Sequence, residues 1–285
     1  MRVLVLGATG MLGHAVLKFF VGQGQHETFG TIRSDSMRRF FDSATQRQLI
    51  SGVDLLNQDV LIDTFSQIQP EVVINAVGLI KQLDSAKNPL VVLPVNSLLP
   101  HRLSKICKIA GVRLVHVSTD CVFSGQKGNY TEADASDAED LYGKSKHMGE
   151  LHDDGHAITL RTSIIGHELN SNHALVDWFL SQQDSVKGYR KAIFSGLPTV
   201  ELAHVIHDWV LPNPALCGLY HLSAKPISKF DLLKLIAMKY HKTIDIQPDD
   251  RLIIDRSLNS ERFTAATGYV APDWPNLVEL MHKTR

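Results

Sequence analysis

One tyrosine in the sequence is followed four residues later by a lysine, and this pair is the clearest sign of chemistry in the chain. Tyr142 and Lys146 are separated by Gly143-Lys144-Ser145, and on a helix that spacing places both side chains on one face. A free tyrosine has a pKa of about 10, which makes it a poor acid–base catalyst at neutral pH. We expect the ammonium group of Lys146 to lower the pKa of Tyr142 and fit it for proton transfer.

Hydroxyl and amide side chains follow two apolar segments that are typical of buried strands. The segment 112–117 ends in Ser118 and Thr119, and polar groups just past the carboxyl ends of parallel strands line a ligand crevice. Thr119 is therefore placed to hydrogen-bond a substrate carbonyl oxygen, although a capping role in the turn remains open. Further candidates, each compatible with a purely structural role, are Asn75, Ala76, Val77, Gly78, Asn96, Ser118 and Thr162 for a cofactor and Ser163 for a substrate.

A glycine-rich turn follows the first apolar segment directly and opens the first predicted helix. Its glycines have the spacing G-x-x-G-x-x-G, which permits a tight turn, close approach of a pyrophosphate and close helix–strand packing. Peptide N–H groups and the helix dipole favour the phosphate charge. A plain strand-to-helix turn without a ligand is the alternative. The turn reads Gly7-Ala8-Thr9-Gly10-Met11-Leu12-Gly13.

The residues at the end of the second predicted strand indicate which dinucleotide the glycine turn would bind. NAD-binding proteins place an acid about 20 residues after the glycines to hold the ribose hydroxyls. Here Arg33 and Ser34 come first and Asp35 follows. Arg33 can pair with a 2′-phosphate and stack on adenine, so we expect NADP(H) to be preferred over NAD(H). Asp54 is a candidate acceptor for the adenine amino group or an ordinary surface turn residue.

Short apolar runs alternate with amphipathic stretches through the first half of the chain. This rhythm predicts an α/β protein with a Rossmann-type, doubly wound parallel sheet and a smaller C-terminal substrate-binding lobe. The predicted cofactor domain comprises 1–165, with 195–225 returning to it, and the lobe comprises 166–194 and 226–285. Strands are predicted at 2–6, 26–32, 72–76, 112–118, 158–162 and 218–222, and helices at 11–22, 60–68, 94–110, 142–151, 173–183, 229–240, 259–267 and 276–282.

Composition narrows the class of protein. The chain has 285 residues and a formal net charge of −1, which offers no basic field for nucleic acid or an anionic membrane. No apolar run approaches the roughly 18 residues of a membrane span. The three cysteines are far apart and fit a reduced, cytoplasmic location. No metal site is predicted, because the fourteen histidines form no familiar ligand pattern; five of them are His14, His101, His116, His204 and His207.

Several of these segments together resemble the extended short-chain dehydrogenase/reductase superfamily, most closely its dTDP-4-dehydrorhamnose reductase branch. The resemblance covers most of the chain and weakens after about residue 225. It implies that Thr119 is the catalytic hydroxyl residue, that Tyr142 is the acid, and that Lys146 is its partner and also holds the nicotinamide ribose. The matching segments are 7–13, 75–78, 118–125, 130–132, 142–146, 160–163, 198–199 and 218–222.

The resemblance implies a reductase that uses NADPH to reduce a ketone on a nucleotide-activated 4-keto-6-deoxy sugar. Related dehydratases carry a second acid after Thr-Asp, where this chain has Cys121, and this difference argues against dehydration. A nucleotide-sugar epimerase and a non-catalytic regulatory subunit are the alternatives. Apolar helix faces at 98–106 and 141–151 are candidates for a homodimer contact. The residues expected to contact the nucleotide sugar are Lys81, Thr119, Asp120, Cys121, Ser163, Arg190 and Arg256.

Overall fold

A computed structural model describes residues 1–81 and 87–285 of the chain. Strands and helices alternate along the first half, as the apolar periodicity predicts. The strands are β1 (Arg2–Leu6), β2 (Glu27–Thr31), β3 (Leu49–Ile50), β4 (Val72–Asn75), β5 (Arg113–Thr119), β6 (Ala157–Thr162), β7 (Ile164–Ile165), β8 (Ser185–Tyr189), β9 (Ala192–Phe194), β10 (Leu197–Pro198), β11 (Gly218–His221), β12 (Ile227–Ser228), β13 (Asp245–Asp249) and β14 (Ile254–Asp255).

The helices lie between these strands and vary widely in length. Two π-helical turns, Pro94–Leu98 and Ile206–Val210, continue directly from α-helices, and 3₁₀ turns occur at Asp35–Phe40 and Asp120–Val122. The α-helices are α1 (Met11–Gln23), α2 (Ser43–Gln46), α3 (Gln58–Ile68), α4 (Pro89–Leu93), α5 (Leu99–Ala110), α6 (Leu141–Met148), α7 (Leu175–Ser181), α8 (Thr199–Val205), α9 (Lys229–Lys239), α10 (Glu261–Thr267) and α11 (Trp274–Lys283).

Seven strands form one parallel sheet in the order β11-β6-β5-β4-β1-β2-β3. Alternation of side chains along β1 explains why four consecutive residues, from Val3 to Leu6, are all apolar. Val3 and Val5 join an apolar cluster with α1, α8 and α11, whereas Leu4 and Leu6 join a second cluster with α3 and α5 on the opposite face. Helices therefore cover both faces, which confirms the predicted Rossmann-type fold class.

The later strands form three small sheets beside the main one. Strands β13 and β8 are paired, β12-β9-β14 form a three-stranded sheet, and β10 pairs with β7. The apolar cluster on the α1 face of the main sheet continues into these elements through Val186, Phe194 and Leu232. The two parts therefore share a core, and the boundaries assigned to the two domains remain a prediction.

Several predicted elements differ from the structure in length. The helix predicted over 94–110 begins earlier, as α4 at Pro89, passes through the π turn at Pro94–Leu98 and is α-helical again from Leu99. The helix predicted over 142–151 ends at Met148, and a Cβ on the next residue, Gly149, would lie 2.0 Å from the carbonyl oxygen of Asn96. Strands β8 and β13 and helix α8 were not predicted, because short or mixed-polarity segments give a weak periodic signal. None of the described helices is long and apolar enough to cross a membrane.

Two glycines of α1 differ sharply in their surroundings, and this difference gives a test of the fold. A Cβ on Gly13 would lie 2.1 Å from the Gly7 carbonyl oxygen, whereas one on Gly22 would meet nothing within 4 Å. We predict that Gly13→Ala lowers the free energy of unfolding by about 1–3 kcal/mol, because backbone must move. Gly22→Ala should raise it by roughly 0.5–1 kcal/mol. Urea unfolding measures both, and equal effects would contradict this packing.

Candidate active site

The carboxyl ends of β4 and β5 lie side by side and carry the polar residues predicted there. The Asn75 carboxamide oxygen accepts a hydrogen bond from the Val77 amide at 3.1 Å, and its nitrogen lies 3.1 Å from His116 Nδ1. These two bonds hold the chain from Asn75 to Gly78 as it leaves the sheet. A Cβ on Gly78 would lie 3.9 Å from Lys146 Nζ, so this glycine directly faces the predicted catalytic lysine.

Helix α6 brings the tyrosine to the end of β5. The Asp140 side chain caps the helix by accepting a hydrogen bond from the Gly143 amide at 2.8 Å. A Cβ on Gly143 would lie 2.2 Å from the Cys121 carbonyl oxygen, so only glycine lets the first turn pack so closely against the loop after β5. The Tyr142 phenol then lies close enough to the Thr119 side chain for the Thr119 hydroxyl to influence the pKa of Tyr142. The structure thus brings together two of the three predicted catalytic residues.

Thr119 has further contacts that fix its hydroxyl group. The hydroxyl donates to Asp120 Oδ1 at 3.2 Å and accepts from the Cys121 amide at 3.1 Å. Asp120 is buried, and burial raises the pKa of its carboxyl group. Burial also raises the pKa of the Cys121 thiol to about 12, so that thiol is uncharged at neutral pH.

Lys146 lies one helical turn beyond Tyr142, and its side chain reaches the carboxyl end of β5. Its ammonium group donates a hydrogen bond to the Val117 carbonyl oxygen at 2.9 Å, and the residue is buried. Burial lowers the pKa of Lys146 to about 8, because removing the ammonium group from water penalises its charged form. Lys146 therefore remains mostly protonated at neutral pH.

The protonation of Tyr142 differs from the expectation based on the sequence. We expected Lys146 to lower the pKa of Tyr142, but burial raises it above its usual value, and the neighbouring Cys121 and Asp120 add to the increase. The nearby Thr119 hydroxyl opposes this rise without overcoming it. The physical reason is that burial removes the phenolate from water, and this is the largest contribution to the pKa of Tyr142. Tyr142 is therefore a neutral phenol that can donate a proton.

A π-helical turn positions Asn96 between α6 and the loop after β4. The Asn96 carboxamide oxygen accepts from the Leu79 amide at 2.9 Å, and its nitrogen donates to the Leu79 carbonyl and the Ser145 hydroxyl, both at 3.1 Å. The neighbouring Ser97 hydroxyl donates to the Ser145 carbonyl oxygen at 2.8 Å. Asn96 is buried and fully engaged, so its observed contacts tie the catalytic helix to the cofactor-side loop.

The glycine turn is held to β2 through one threonine. The Gly7 amide donates to the Thr31 hydroxyl at 3.1 Å, and the Ala8 amide donates to the Thr31 carbonyl at 3.0 Å. The Gly10 amide closes the turn on the Gly7 carbonyl at 3.0 Å. No side chain in the described ranges caps the amino terminus of α1, and its first turn contains no acid. Peptide N–H groups there are available to an anion; they belong to the segment containing Thr9, Met11, Leu12 and Gly13.

The residues predicted to select the dinucleotide lie at the end of β2. Arg33 is exposed, and the Ser34 hydroxyl lies 2.8 Å from that of Ser36. The competing acid, Asp35, accepts a hydrogen bond from Arg38 Nε at 2.6 Å. Asp54 is exposed, and its carboxylate accepts from the Leu56 amide within its own turn. The single local hydrogen bond of Asp54 is the contact expected of a surface turn residue.

The predicted substrate contacts fall into two groups. Arg256 reaches the loop after β5, where its Nε donates to the Phe123 carbonyl at 2.7 Å and its Nη1 lies 3.8 Å from Cys121 Sγ. Arg190 is instead exposed and paired with Asp250 through two hydrogen bonds of 2.7 and 2.6 Å, so its described contacts do not include the catalytic residues.

The remaining predicted contacts border the same crevice. Lys81 pairs with Asp140, the cap of α6, at 2.6 Å. Thr162 lies opposite Thr119 in the register of β5 and β6, and the Ser163 carbonyl oxygen accepts from the Thr162 hydroxyl at 3.1 Å. Lys81 thus lies beside the start of α6, and Thr162 and Ser163 lie at the end of the strand next to β5.

A buried charge network beneath the catalytic loop was not predicted in full. Glu150 Oε1 accepts from the Ser118 hydroxyl at 2.6 Å and from Arg161 Nε at 2.9 Å, and its Oε2 accepts from Arg161 Nη2 at 2.6 Å. Arg161 Nη1 lies 2.9 Å from His221 Nε2. One signal was available, because an arginine within a predicted buried strand requires a buried partner. The sequence did not identify Glu150 as that partner.

A tyrosine and lysine on one helix, a threonine at a strand end and a glycine turn on a parallel sheet define an enzyme of the short-chain dehydrogenase/reductase type. A family model described as the RmlD substrate binding domain matches residues 1–272. The chain therefore belongs to this family.

Two curated relatives cover most of the chain. A dTDP-4-dehydrorhamnose reductase from Aggregatibacter actinomycetemcomitans is 26% identical over 240 residues, 81% of this chain and 76% of the relative. Methionine adenosyltransferase 2 subunit beta from Danio rerio is 28% identical over 250 residues, 83% and 73% of the two chains. One branch of relatives is thus named for reductase activity and the other as a subunit of a different enzyme.

A solved structure supports the fold. The dTDP-4-dehydrorhamnose reductase from Bacillus anthracis str. Ames, in complex with NADP, matches with a TM-score of 0.78 and 21% identity, over 98% of both chains. At this level of identity the likeness concerns the fold alone.

The Glu150–Arg161 pair gives a test of what holds the site together. Glu150 has a pKa of about 2 against an ordinary 4.5, so its stabilising effect is complete above pH 4.5 and is lost as the pH falls towards 2. We predict that Glu150→Gln lowers the free energy of unfolding at pH 7 by about 3–5 kcal/mol, because Arg161 is left without a buried counter-charge.

Urea unfolding of both proteins from pH 7 down to pH 3 measures this effect. The difference between wild type and Glu150→Gln should shrink below pH 4.5, because the Glu150 carboxylate of the unfolded wild-type chain then binds a proton while that of the folded chain does not. A difference independent of pH would show that the ion pair is not its cause.

Proposed function

We propose that this protein is an NADPH-dependent reductase of a nucleotide-activated 4-keto-6-deoxy sugar. One observation carries the proposal: Thr119, Tyr142 and Lys146 converge at the carboxyl end of β5, where a neutral phenol lies beside a fixed hydroxyl. The family and its curated reductase relative support the substrate class.

The residues around the glycine turn fit a nicotinamide dinucleotide. Gly7 has a φ of 79°, a conformation that glycine adopts without strain, and the uncapped start of α1 suits a pyrophosphate. Gly78 leaves room beside Lys146 for a ribose. When bound, the nicotinamide supplies hydride to the carbonyl carbon of the sugar.

The protein's own residues would handle the proton and the developing charge. Tyr142 would donate its phenolic proton to the carbonyl oxygen as that oxygen becomes an alkoxide, and solvent would later restore the proton. The Thr119 hydroxyl would hydrogen-bond the same oxygen as charge builds on it. Lys146, charged below pH 8 or so, would stabilise the phenolate left on Tyr142.

Contacts at the second strand support NADP(H) over NAD(H). Arg33 is exposed at the end of β2, where the 2′-phosphate of a bound dinucleotide would lie. The competing Asp35 is already engaged by Arg38, which reduces its capacity to bind ribose hydroxyls. The proposal therefore assigns Arg33 to the 2′-phosphate, with Ser34 beside it.

The loop after β5 favours reduction over elimination. A dehydratase needs a base near the sugar to remove a proton, and Cys121 occupies the position of the second acid. Burial raises the pKa of that thiol to about 12, so it is a poor base at neutral pH. Arg256 and Lys81 would instead contact the nucleotide sugar at the mouth of the site.

A second candidate follows from one of the curated relatives. Methionine adenosyltransferase 2 subunit beta matches 83% of the chain, so a nucleotide-binding subunit of another enzyme is the alternative function. Leu98 and Met148, on the faces predicted to pair subunits, are 49% and 50% exposed. We include a homodimer through these faces in the proposal.

The first experiment follows NADPH absorbance with a panel of dTDP-, UDP- and GDP-linked 4-keto-6-deoxy sugars. We predict oxidation with one of them, and we predict that Tyr142→Phe loses about 10²-fold or more in turnover because the proton donor is removed. NADPH affinity should remain within about threefold, since the phenol is not a phosphate ligand. Tyr189→Phe, in a strand of the smaller sheets, is the matched control and should retain full turnover.

The outcomes separate the candidates. Near-normal turnover of Tyr142→Phe would contradict the catalytic role of Tyr142. Failure of the wild type to oxidise NADPH with every sugar, despite binding it, would contradict the reductase. Isomerised product without NADPH loss would then identify an epimerase, and a stable co-purifying enzyme would identify a regulatory subunit.

Arg33 gives a separate test of cofactor choice. We predict that Arg33→Ala weakens NADPH binding by roughly tenfold or more, because a charge-assisted hydrogen bond contributes about 1.5–3 kcal/mol. NADH binding should hardly change, since NADH has no 2′-phosphate. Arg47→Ala, which removes another exposed arginine of the same region, is the control. Equal losses for the two dinucleotides would overturn the assignment.

A further inference from the structure

Three potential metal ligands meet just beyond the catalytic helix. His147 is in the last turn of α6, and Glu150 and His152 follow it. One ligand atom from each lies within 4.8 Å of the other two. None of the three was identified from the sequence as a site residue, and the proposed reduction uses none of them directly.

The distances within this group match those of a transition-metal site. His147 Nδ1 lies 3.0 Å from Glu150 Oε2, and His152 Nε2 lies 3.7 Å from the same oxygen. Around a tetrahedral ion with bonds of about 2.0–2.1 Å, adjacent ligand atoms are about 3.3 Å apart. The two distances to Glu150 Oε2 lie close to this value, so an ion can sit between these three atoms once the two imidazole rings adjust.

The contacts around the Glu150 carboxylate leave one side of it available to a metal ion. Glu150 Oε1 is occupied by Ser118 and Arg161 Nε, and Oε2 accepts one bond from Arg161 Nη2. The remaining side of Oε2 faces the two imidazoles. A bound ion would take the position of the proton that lies between His147 Nδ1 and Oε2, without breaking the contacts to Arg161.

Accessibility and ligand type complete the argument. The His147 and His152 side chains are 43% and 45% exposed, whereas that of Glu150 is fully buried. The carboxylate is thus anchored, the two histidines can adjust, and solvent can fill a fourth position. Two imidazoles and one carboxylate suit Zn²⁺, Co²⁺, Ni²⁺ or Cu²⁺ better than Mg²⁺ or Ca²⁺.

We propose that His147, Glu150 and His152 form a binding site for a divalent transition metal of the Zn²⁺ type. The site connects to the catalytic loop, because the anchoring carboxylate also accepts the hydrogen bond of Ser118, which precedes Thr119. Occupancy links the end of the catalytic helix to the end of β5 and stabilises the folded protein, since the unfolded chain lacks this arrangement.

The test uses the full chain without an affinity tag, treated with chelator and then titrated with Zn²⁺ in a calorimeter. We expect one ion per chain in this site and a rise in Tm with Zn²⁺. His147→Gln and His152→Gln should each weaken binding by roughly tenfold or more. His173→Gln, which removes an exposed histidine away from the site, should bind as the wild type does.

The two histidine variants are preferred to Glu150→Gln, which is expected to destabilise the fold. Circular dichroism and Tm without metal establish that they are folded. Co²⁺ provides a second readout, because its visible absorption reports coordination by nitrogen ligands and does not depend on enzymatic activity. Unchanged Zn²⁺ affinity in the His147→Gln, His152→Gln double variant would overturn the proposal, as would equal weakening by His173→Gln or no binding by the wild type at submillimolar Zn²⁺.

Discussion

The buried ion pair between Glu150 and Arg161 holds together the elements on which the active site depends. Arg161 is among the largest fully buried side chains, and its guanidinium lies 5.0 Å from the centre of the Phe123 ring. A buried charge is tolerated only when its partners are complete. Ser118 and His221 complete them, so strands β5, β6 and β11 and the end of α6 have one compatible arrangement. That arrangement fixes the loop that contains Thr119.

Burial also determines the charges above this network, and it acts in opposite directions on different groups. It raises the pKa of Tyr142, Asp120 and Cys121 and lowers that of Lys146, because each neutral form is favoured away from water. At neutral pH the site therefore contains a protonated phenol on Tyr142, which can donate its proton, and an ammonium group on Lys146 whose pKa is lowered. A reductase requires the donor in this state, whereas an enzyme that removes a proton would require a base.

The sequence was sufficient to predict the fold class and to group candidate site residues where these lie in short, contiguous segments. The glycine turn, the helix with Tyr142 and Lys146 and the strand ends all lie within local motifs, and the fold class was correct for the same reason. It was insufficient where distant segments meet. Arg190 and Arg256 look equivalent in the sequence, yet the pairing of strands in the smaller sheets brings only Arg256 to Cys121. Likewise, no local pattern links Glu150 to Arg161.

The C-terminal segment that carries Arg256 is hydrogen-bonded along the catalytic loop. The Asp255 amide donates to the Gly125 carbonyl at 2.8 Å, and the Tyr130 amide donates to the Ser257 carbonyl at 2.8 Å. A Cβ on Gly125 would lie 2.5 Å from the Ile254 side chain, which shows how closely the two segments pack. The backbone of this segment therefore holds the loop between Thr119 and Tyr142 in place, so a part of the smaller sheets that lies far along the sequence helps to shape the candidate site.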